Sequence, residues 1–511
     1  MTIPRILERD GSTRPRSWNW IDSPIWQGFS LFAVVLLFGL PNGLLSGNEE
    51  VYLGYAFQRV SPESLLPNRA LFDAARHRAA FELLMGPAIA AFGFEVAQAL
   101  GRSGVAVLYA VSITLIFRSL GIGTISGLLV IVVFYLLDQS ILGGEWLFGG
   151  IEPKTIAYPF VFLGFWAALQ GRYMWAYVAL AAATYFHFLV GGFWFLAVAA
   201  GQLWYGRDWR KTLTSVVVYS LLCAPLLLVV VGDHLNAVGE AATLPSADWI
   251  YSIYRVPHHV SPFSSLSRMS KWLPGIALLG AISSTVVVIW LTGEKREKTL
   301  AILVFLLCLF FFVALVLSFL DRESGAFGKF YLFRPASVTL LAFLCLVAIY
   351  LNRRITSNAG EIRVLALALL ATVVLSDVVD DVKFWRGARG PPTEDQERLA
   401  DVIATQVQRD DVVLIEPTIE WQWLHFERVY KRPMLVAWKF NPTTGKDIQR
   451  WYELKRMRDQ IFKKGCDVAT NARVDYLLSS SSTAHRLEPQ CGSLVFMGQE
   501  IALIAMNAPG R

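Results

Sequence analysis

Long apolar segments, separated by short turns that carry lysine and arginine, fill the first three quarters of the chain. A helix that crosses a bilayer needs about 20 apolar residues, and somewhat fewer where other helices surround it. The composition agrees, because 55% of the residues are hydrophobic and only 17% are charged. The sequence therefore predicts an all-α polytopic membrane protein with about 11 transmembrane helices. The predicted spans are 26–45, 98–117, 122–138, 155–170, 174–188, 189–205, 211–231, 273–292, 299–320, 335–351 and 362–378.

The basic turns predict the orientation of these spans, because lysine and arginine accumulate on the cytoplasmic side. With residues 1–25 as a retained cytoplasmic tail, every basic turn falls on one side if segment 81–95 does not cross. The net charge of +6 is thus spread over short turns, which argues against nucleic acid as a partner. The basic residues of these turns are Arg118, Arg172, Arg207, Arg210, Lys211, Lys295, Arg296, Lys298, Arg353 and Arg354. The outward segments are 46–80, 139–154, 232–272 and 321–334.

After the membrane domain, 26–378, the composition becomes polar, and residues 379–511 predict a small extracytoplasmic α/β domain. Four stretches, DDVVLIEP, RPMLVAWK, VDYLLSS and SLVFMGQEIALIAM, are typical of strands, and 446–464 predicts a basic amphipathic helix. Cys466 and Cys491 lie in this domain and could form a disulfide in an oxidising compartment. Cys223, Cys308 and Cys345 lie in apolar runs, where we expect buried packing residues.

Acidic residues enter the outward segments at two places. Glu49 and Glu50 follow the first span, where a carboxylate could act as general base toward a sugar hydroxyl or merely cap a helix. Glu145, Glu152 and Lys154 flank glycine pairs between two spans, where they could position an acceptor or a phosphate. The alternative is a glycine-rich turn with no chemical role.

Histidines and cations accompany these acids. His187 lies at the outward junction of two spans, either as a functional group or as a packing residue. In the segment YRVPHHVSPF, Arg255, His258 and His259 could hold a diphosphate or a divalent metal, unless the segment is an ordinary surface loop. Arg334 enters a span, where it needs a carboxylate or an anionic ligand as partner. Acids, histidines and bases on one face, beside apolar walls, suit the transfer of a sugar from a lipid phosphate.

Short motifs along most of the chain resemble the GT-C superfamily of membrane glycosyltransferases, and within it a bacterial branch. The matches are N-E-x-x-Y at Asn48, Glu49 and Tyr52; E-P-K at Glu152, Pro153 and Lys154, with Tyr158; F-H-x-x-V-G at Phe186, His187, Val190 and Gly191; P-H-H-x-x-P at Pro257, His258, His259 and Pro262; and W-K at Trp438 and Lys439, followed by Pro442. The chain departs from the common pattern in having Glu49–Glu50 where an Asp–Glu pair is usual, so either glutamate could be the base.

The resemblance implies a multi-pass protein of the bacterial inner membrane. It also implies inverting transfer from a polyprenyl-phosphate or polyprenyl-diphosphate sugar to a glycan, lipid or protein acceptor on the extracytoplasmic side. The expected base is Glu49 or Glu50. Five residues are expected to bind the donor phosphate: Lys154, Arg255, His258, His259 and Arg334. A further five are expected to line the acceptor cavity: Tyr52, Glu145, Glu152, Tyr158 and His187. If a divalent metal such as Mg²⁺ or Mn²⁺ is used, His258 and His259 would be its ligands.

Two other functions fit the same features. One is a polysaccharide polymerase or ligase of the cell envelope, in which outer arginines would matter more than any acid. The other is a transporter of lipid-linked sugars that performs no chemistry. The sequence shows no paired inverted halves with broken spans, and a transporter does not need a folded outer domain, so the transferase is the preferred hypothesis.

Overall fold

The computed structural model describes residues 22–39, 45, 47–64, 66, 69, 70, 72, 76–237, 245–354, 394–442, 445–466 and 472–507. Most of the predicted tail 1–25, the predicted span 362–378 and the predicted start of the C-terminal domain lie outside these residues.

The membrane domain consists of helices, and each predicted span from 26–45 to 335–351 coincides with one of them. Their bounds are α1 (Pro24–Gly39), α2 (Gly47–Val60), α3 (Ala79–Phe92), α4 (Phe94–Leu120), α5 (Thr124–Leu136), α6 (Pro153–Leu169), α7 (Tyr173–Phe186), α8 (Phe188–Gly206), α9 (Trp209–Ala237), α10 (Leu266–Thr292), α11 (Lys295–Leu320) and α12 (Ala336–Arg354).

Five of these helices contain a stretch that is long and apolar enough to cross a membrane: Phe94–Leu120, Trp209–Gly232, Leu266–Thr292, Lys295–Leu320 and Ala336–Arg353. Helices α1, α3, α5 and α8 are apolar but shorter. Large apolar side chains on the outside of the bundle, such as Leu221, Leu228, Leu291 and Leu320, are exposed, as lipid-facing residues are. The chain is therefore a polytopic helical membrane protein, and the number of crossings stays a prediction.

The charge pattern requires that segment 81–95 does not cross the membrane, and helix α3 covers most of this segment. The first and last residues of α3 both lie at the end of the bundle that contacts α2 and the C-terminal domain. Arg78, just before it, lies over the ring of Tyr52 in α2. Glu95, just after it, pairs with Arg428 of the C-terminal domain at 3.2 Å. Since Gly93, with φ +80°, separates α3 from α4, the chain turns there into its next long helix.

The basic turns and the polar segments lie at opposite ends of the bundle. At one end, Arg118 donates to the Asp22 carbonyl at 2.5 Å, and Arg296 donates to the Ser119 carbonyl at 3.2 Å. At the other, Asn48 donates to Glu152, and His259 contacts the carbonyl of Gly143 in the same α5–α6 loop. The segments that contain Asn48 and the histidine pair thus share one end, as the sequence predicted. Which end faces the cytoplasm stays a prediction.

The C-terminal domain is built on a four-stranded mixed sheet in the order β1-β2-β4-β3. Strand β1 is parallel to β2, while β4 is antiparallel to both of its neighbours. Three helices of more than ten residues and a short one, Phe426–Tyr430, accompany the sheet in the part of the domain that the structure describes. The bounds are α13 (Glu394–Gln406), β1 (Val413–Ile415), α14 (Gly445–Lys464), β2 (Tyr476–Ser480), α15 (Ser481–Cys491), β3 (Gly492–Met497) and β4 (Ile501–Met506). These elements agree with the predicted α/β class.

The prediction that RPMLVAWK forms a strand is wrong. Only an isolated bridge between Met434 and Val413 joins this segment to the sheet. Pro433 has no amide hydrogen to continue a ladder, and the amide of Trp438 donates to the side chain of Glu420. The segment therefore leaves the sheet and runs toward the membrane domain.

The C-terminal domain packs directly on α2. Val51 and Tyr55 are buried in one apolar cluster with Trp423 and Phe426 of the domain. Cys466 and Cys491 form a disulfide that ties the end of α14 to the end of α15, whereas Cys223, Cys308 and Cys345 are free and buried.

Candidate active site

Five polar side chains, three of them buried and two partly buried, meet where the α5–α6, α7–α8 and α11–α12 connections converge. We call this cluster the chamber; it consists of Glu145, Glu152, Lys154, His187 and Arg334. The Lys154 ammonium lies 3.2 Å from Glu145 and 3.1 Å from Glu152. Arg334 lies 3.8 Å from Glu145, and its Nη1 is 2.5 Å from Nε2 of His187. The structure thus brings together acids, bases and a histidine that are far apart in sequence.

The chamber is electrically balanced within itself. Two carboxylates face two cations, and Glu145, Glu152 and Lys154 are each less than a tenth exposed. Buried charges of this kind are tolerated only when they are paired. Because an arginine cannot accept a hydrogen bond, it must donate to His187, whose Nε2 is then unprotonated and the ring neutral.

The two chamber carboxylates differ in basicity. Burial raises the pKa of Glu152, and the attraction of Lys154 does not offset it. Burial also acts to raise the pKa of Glu145, but Lys154, Arg334 and His259 together outweigh it and leave that pKa below its ordinary value. Glu152 is therefore the more proton-accepting of the pair.

The α5–α6 loop that carries both acids is braced by Gln139. Its side-chain oxygen accepts the amides of Leu147 and Phe148 at 2.9 and 2.8 Å, and its nitrogen donates to the Phe148 carbonyl at 3.0 Å. Gly143, at φ +74°, passes so close to the His259 carbonyl that a Cβ would sit 3.0 Å from it. Glu152 ends the loop beside Pro153, the first residue of α6.

Glu49, a sequence-predicted base, is fully buried next to the chamber, and donors already occupy both of its oxygens. Arg102 binds Oε1 at 2.8 Å and Oε2 at 2.6 Å. The Ile151 amide donates to Oε1 at 2.8 Å and Gln98 to Oε2 at 2.5 Å. This carboxylate joins α2, α4 and the α5–α6 loop.

Glu50, the other predicted base, contacts the C-terminal domain. Arg428 holds both of its oxygens at distances of 2.7 to 3.1 Å. The structure therefore separates the adjacent glutamates, with Glu49 directed toward α4 and Glu50 toward the domain.

Tyr52 and Tyr158 lie beside the chamber, and their role as residues of an acceptor cavity stays a prediction. Tyr52 lies close enough to Glu152 and Lys154 for their charges to influence its hydroxyl, and Tyr158 approaches the Arg334 carbonyl at 3.4 Å. Arg78, which sequence reasoning missed, covers the Tyr52 ring with its guanidinium 5.2 Å from the centroid. The sequence gives little indication of this role, since Arg78 stands among polar residues ahead of an apolar segment.

The 245–262 segment brings Arg255, His258 and His259 to the same end. His259 Nδ1 lies 2.5 Å from the Gly143 carbonyl, and the two imidazoles lie 4.1 Å apart. Burial, with help from His259 and Arg255, lowers the pKa of His258 to about 3. Among the residues that the structure describes, no group of three His, Cys, Asp or Glu side chains could hold a metal ion.

Trp438 and Lys439 come from the segment that leaves the sheet. The Arg255 guanidinium lies 5.1 Å from the Trp438 ring, and Lys439 lies near enough to Arg255, Glu152 and Lys154 for their charges to shift its pKa. Sequence reasoning noted this W-K pair as a motif but did not place it at the site, because a local pattern does not show which residues of the C-terminal domain pack against the membrane domain.

An apolar cavity of about 690 Å³ begins beyond the chamber, inside the membrane domain. Phe162, one turn after Tyr158, and Val338, one turn after Arg334, line its near end. Arg296 lies at its far end. Along α8 the lining runs from Phe193 to Trp204, a helix length of about 16 Å.

Fold and site together define a polytopic helical membrane protein with a buried ionic chamber at one end, next to a folded α/β domain. No family model matches the chain, and no curated protein matches it. Solved structures similar to it include the crystal structure of ArnT from Cupriavidus metallidurans in the apo state. That similarity covers 95% of this chain and 98% of ArnT at 14% sequence identity, with a TM-score of 0.39.

Proposed function

We propose that this protein is a membrane glycosyltransferase of the GT-C type. It would move a sugar, with inversion, from a polyprenyl-phosphate-linked donor to an acceptor at the extracytoplasmic face. The observation that carries the proposal is the chamber itself, in which carboxylates, cations and a neutral imidazole meet beside an apolar cavity. Such a site offers what the transfer requires: a base for the acceptor, cations for the phosphate and apolar walls for the lipid.

In the proposed reaction, a chamber carboxylate accepts the proton of the acceptor hydroxyl. The hydroxyl oxygen then bonds to the anomeric carbon while the bond from that carbon to the phosphate oxygen breaks. The electron pair leaves with the phosphate, whose added charge Lys154, Arg334 and Arg255 stabilise, with His258 and His259 next to them.

Glu152 is the carboxylate best suited to accept that proton. Its pKa is raised by burial, Asn48 donates to its Oε2 at 3.1 Å, and its Oε1 lies 3.1 Å from the Lys154 ammonium without a hydrogen-bond donor among the described residues. Glu49 is less suited, because four donated hydrogen bonds already occupy its two oxygens. We therefore assign the base role to Glu152 and a positioning role to Glu49, in place of the sequence-based assignment.

The apolar cavity suits the lipid tail of the donor. Its near end begins one helical turn from Tyr158 and Arg334, so a phosphate at the chamber would place the first isoprene units there. The proposal thus connects the charged and apolar parts of the site through one amphipathic substrate.

The test uses the purified full-length protein in liposomes with undecaprenyl-phosphate-linked sugars that carry tritium, in separate hexose and pentose arms. A detergent extract of bacterial envelope supplies acceptors. We expect label to leave the lipid fraction, free undecaprenyl phosphate to appear, and both to be lost in Glu152→Gln. A donor that stays intact in every arm would contradict the proposal.

The two rival functions predict different results in the same system. A polymerase or ligase would move label only from oligosaccharide-diphosphate lipids, and Arg334→Ala would harm it more than Glu49→Gln. A transporter would carry the lipid-linked sugar across the membrane without forming any product.

A further inference from the structure

The C-terminal domain places a lysine opposite a buried arginine of the membrane domain. Arg255 is 7% exposed and its Nε has no hydrogen-bond partner within the part of the chain that the structure describes. Its guanidinium lies over Trp438, the residue that precedes Lys439. We call Arg255 and Lys439 the interdomain pair.

The interdomain pair lacks the neutralisation that the chamber cations have. Lys154 and Arg334 contact carboxylates within 4 Å, whereas neither Arg255 nor Lys439 has an ion-pair partner at that distance among the described residues. Burial, reinforced by Arg255, lowers the pKa of Lys439 to about 8. Arg255 is buried and Lys439 is partly buried, so two neighbouring cations without a carboxylate within 4 Å are costly unless an anion joins them.

A buried ionic cluster of the C-terminal domain holds the segment that carries Lys439. Glu420 accepts the Trp438 amide and pairs with Arg458, which is fully buried. Lys455 lies 5.0 Å from the Trp438 ring, on which Arg255 also lies. Trp451 donates to the Ala437 carbonyl at 2.8 Å. The position of Lys439 is thus built into the domain before any ligand arrives, which reduces the cost of binding.

We infer that Arg255 and Lys439 together bind a phosphoryl group across the boundary between the membrane domain and the C-terminal domain. The inference rests on the proposed function in one respect, since it identifies that group as the phosphate of the lipid. Two positive charges suit a phosphate monoester, which carries about −1.5 to −2 at pH 7. The phosphodiester of the donor carries a single negative charge. The interdomain pair therefore binds the departing phosphate monoester more strongly than the phosphodiester of the intact donor.

Farnesyl phosphate and farnesol separate the phosphoryl site from the apolar cavity, because they share a short polyprenyl tail and differ in the phosphate. Binding to the detergent-purified full chain is measured by titration calorimetry, with thermal unfolding as a check of the fold. We expect Arg255→Ala and Lys439→Ala each to weaken farnesyl phosphate about 10- to 100-fold, as lost charge-assisted hydrogen bonds do, and to leave farnesol unchanged. Lys439→Arg should retain most of the affinity.

Lys463→Ala, which removes an exposed lysine of the same domain, is the matched control and should bind like the wild type. Unchanged affinity for farnesyl phosphate in Lys439→Ala would overturn the inference, and so would equal losses for farnesol. Failure of the proposed function is distinguishable from these outcomes. If the protein binds farnesyl phosphate through the interdomain pair but transfers no sugar, the phosphoryl site is supported and the transferase proposal is contradicted.

Discussion

Glu49 and Glu152 are both buried carboxylates next to a cation, yet their surroundings differ. Arg102, Gln98 and the Ile151 amide occupy both oxygens of Glu49, so that it joins three elements of the fold. Glu152 shares Lys154 with Glu145. This difference shows that the location of Glu49 just after the first span marks it as an important acid but does not reveal its role. The number of hydrogen-bond donors that already occupy the carboxylate oxygens separates a supporting role from a chemical one.

The largest expected effect is on activity at Glu152. Glu152→Gln keeps the shape of the side chain and removes the proton acceptor, so we expect transfer to fall about 10²- to 10⁴-fold. Initial rates with the tritiated donor measure this, and thermal unfolding of the variant beside the wild type controls for folding. Glu145→Gln should lose less, because Glu145 mainly orients Lys154 and Arg334. A greater loss in Glu145→Gln would move the base to that residue.

The second effect is on stability at Glu49. Glu49→Gln removes the carboxylate that Arg102 contacts at 2.6 Å in a buried setting, and we expect a loss of about 3–5 kcal/mol in the free energy of unfolding. The double variant Glu49→Gln with Arg102→Met removes both charges and should recover most of it. Thermal unfolding in one detergent measures the three proteins.

The same double variant decides the role of Glu49. If Glu49 only supports the fold, a stable double variant keeps transferring sugar. A double variant that unfolds like the wild type but transfers nothing would restore Glu49 as the base and remove the contrast with Glu152.

A third, smaller effect concerns Glu50, the neighbour that faces the C-terminal domain. Its pair with Arg428 is partly buried, with the arginine side chain 22% exposed, so we expect Arg428→Met to cost about 1–2 kcal/mol. Hydrogen exchange in 47–60 and 426–430 should rise severalfold. Arg473→Met, which breaks an exposed ion cluster within the domain, is the matched control and should leave 47–60 unchanged.

Much of the fold could be predicted because its determinants are local. Apolar runs predict helices, and the stretches DDVVLIEP, VDYLLSS and SLVFMGQEIALIAM, which the sequence predicts as strands, contain β1, β2, β3 and β4. RPMLVAWK misled the same reasoning, since its composition suits a strand while Glu420, which takes the Trp438 amide, lies in a different segment. Tertiary contacts determine the secondary structure of such a segment, and these contacts cannot be read from the local sequence.

The candidate site was predictable in its members more than in their roles. Charge sidedness placed Glu145, Glu152, Lys154, His187 and Arg334 on one face, and the structure places them in contact. The partners that distinguish Glu49 from Glu152 could not be predicted, because Arg102 and Gln98 lie within an ordinary long helix. Lys439 was named only in a motif, since its part in the site depends on how the domain packs.

The smallest expected effect is a pH dependence that separates the interdomain pair from the chamber. The charged and titratable groups that face Lys439 are Arg255, His258, Glu152 and Lys154. Because the pKa of Lys439 is about 8, the free lysine is protonated below that pH and loses its charge above it. Affinity for farnesyl phosphate should therefore be constant near pH 7 and fall about tenfold per pH unit above 8. Lys439→Arg should remove the decline, as an arginine stays charged in this range. A decline that persists in Lys439→Arg would assign it to a different group and leave Lys439 without a direct role in binding the phosphate.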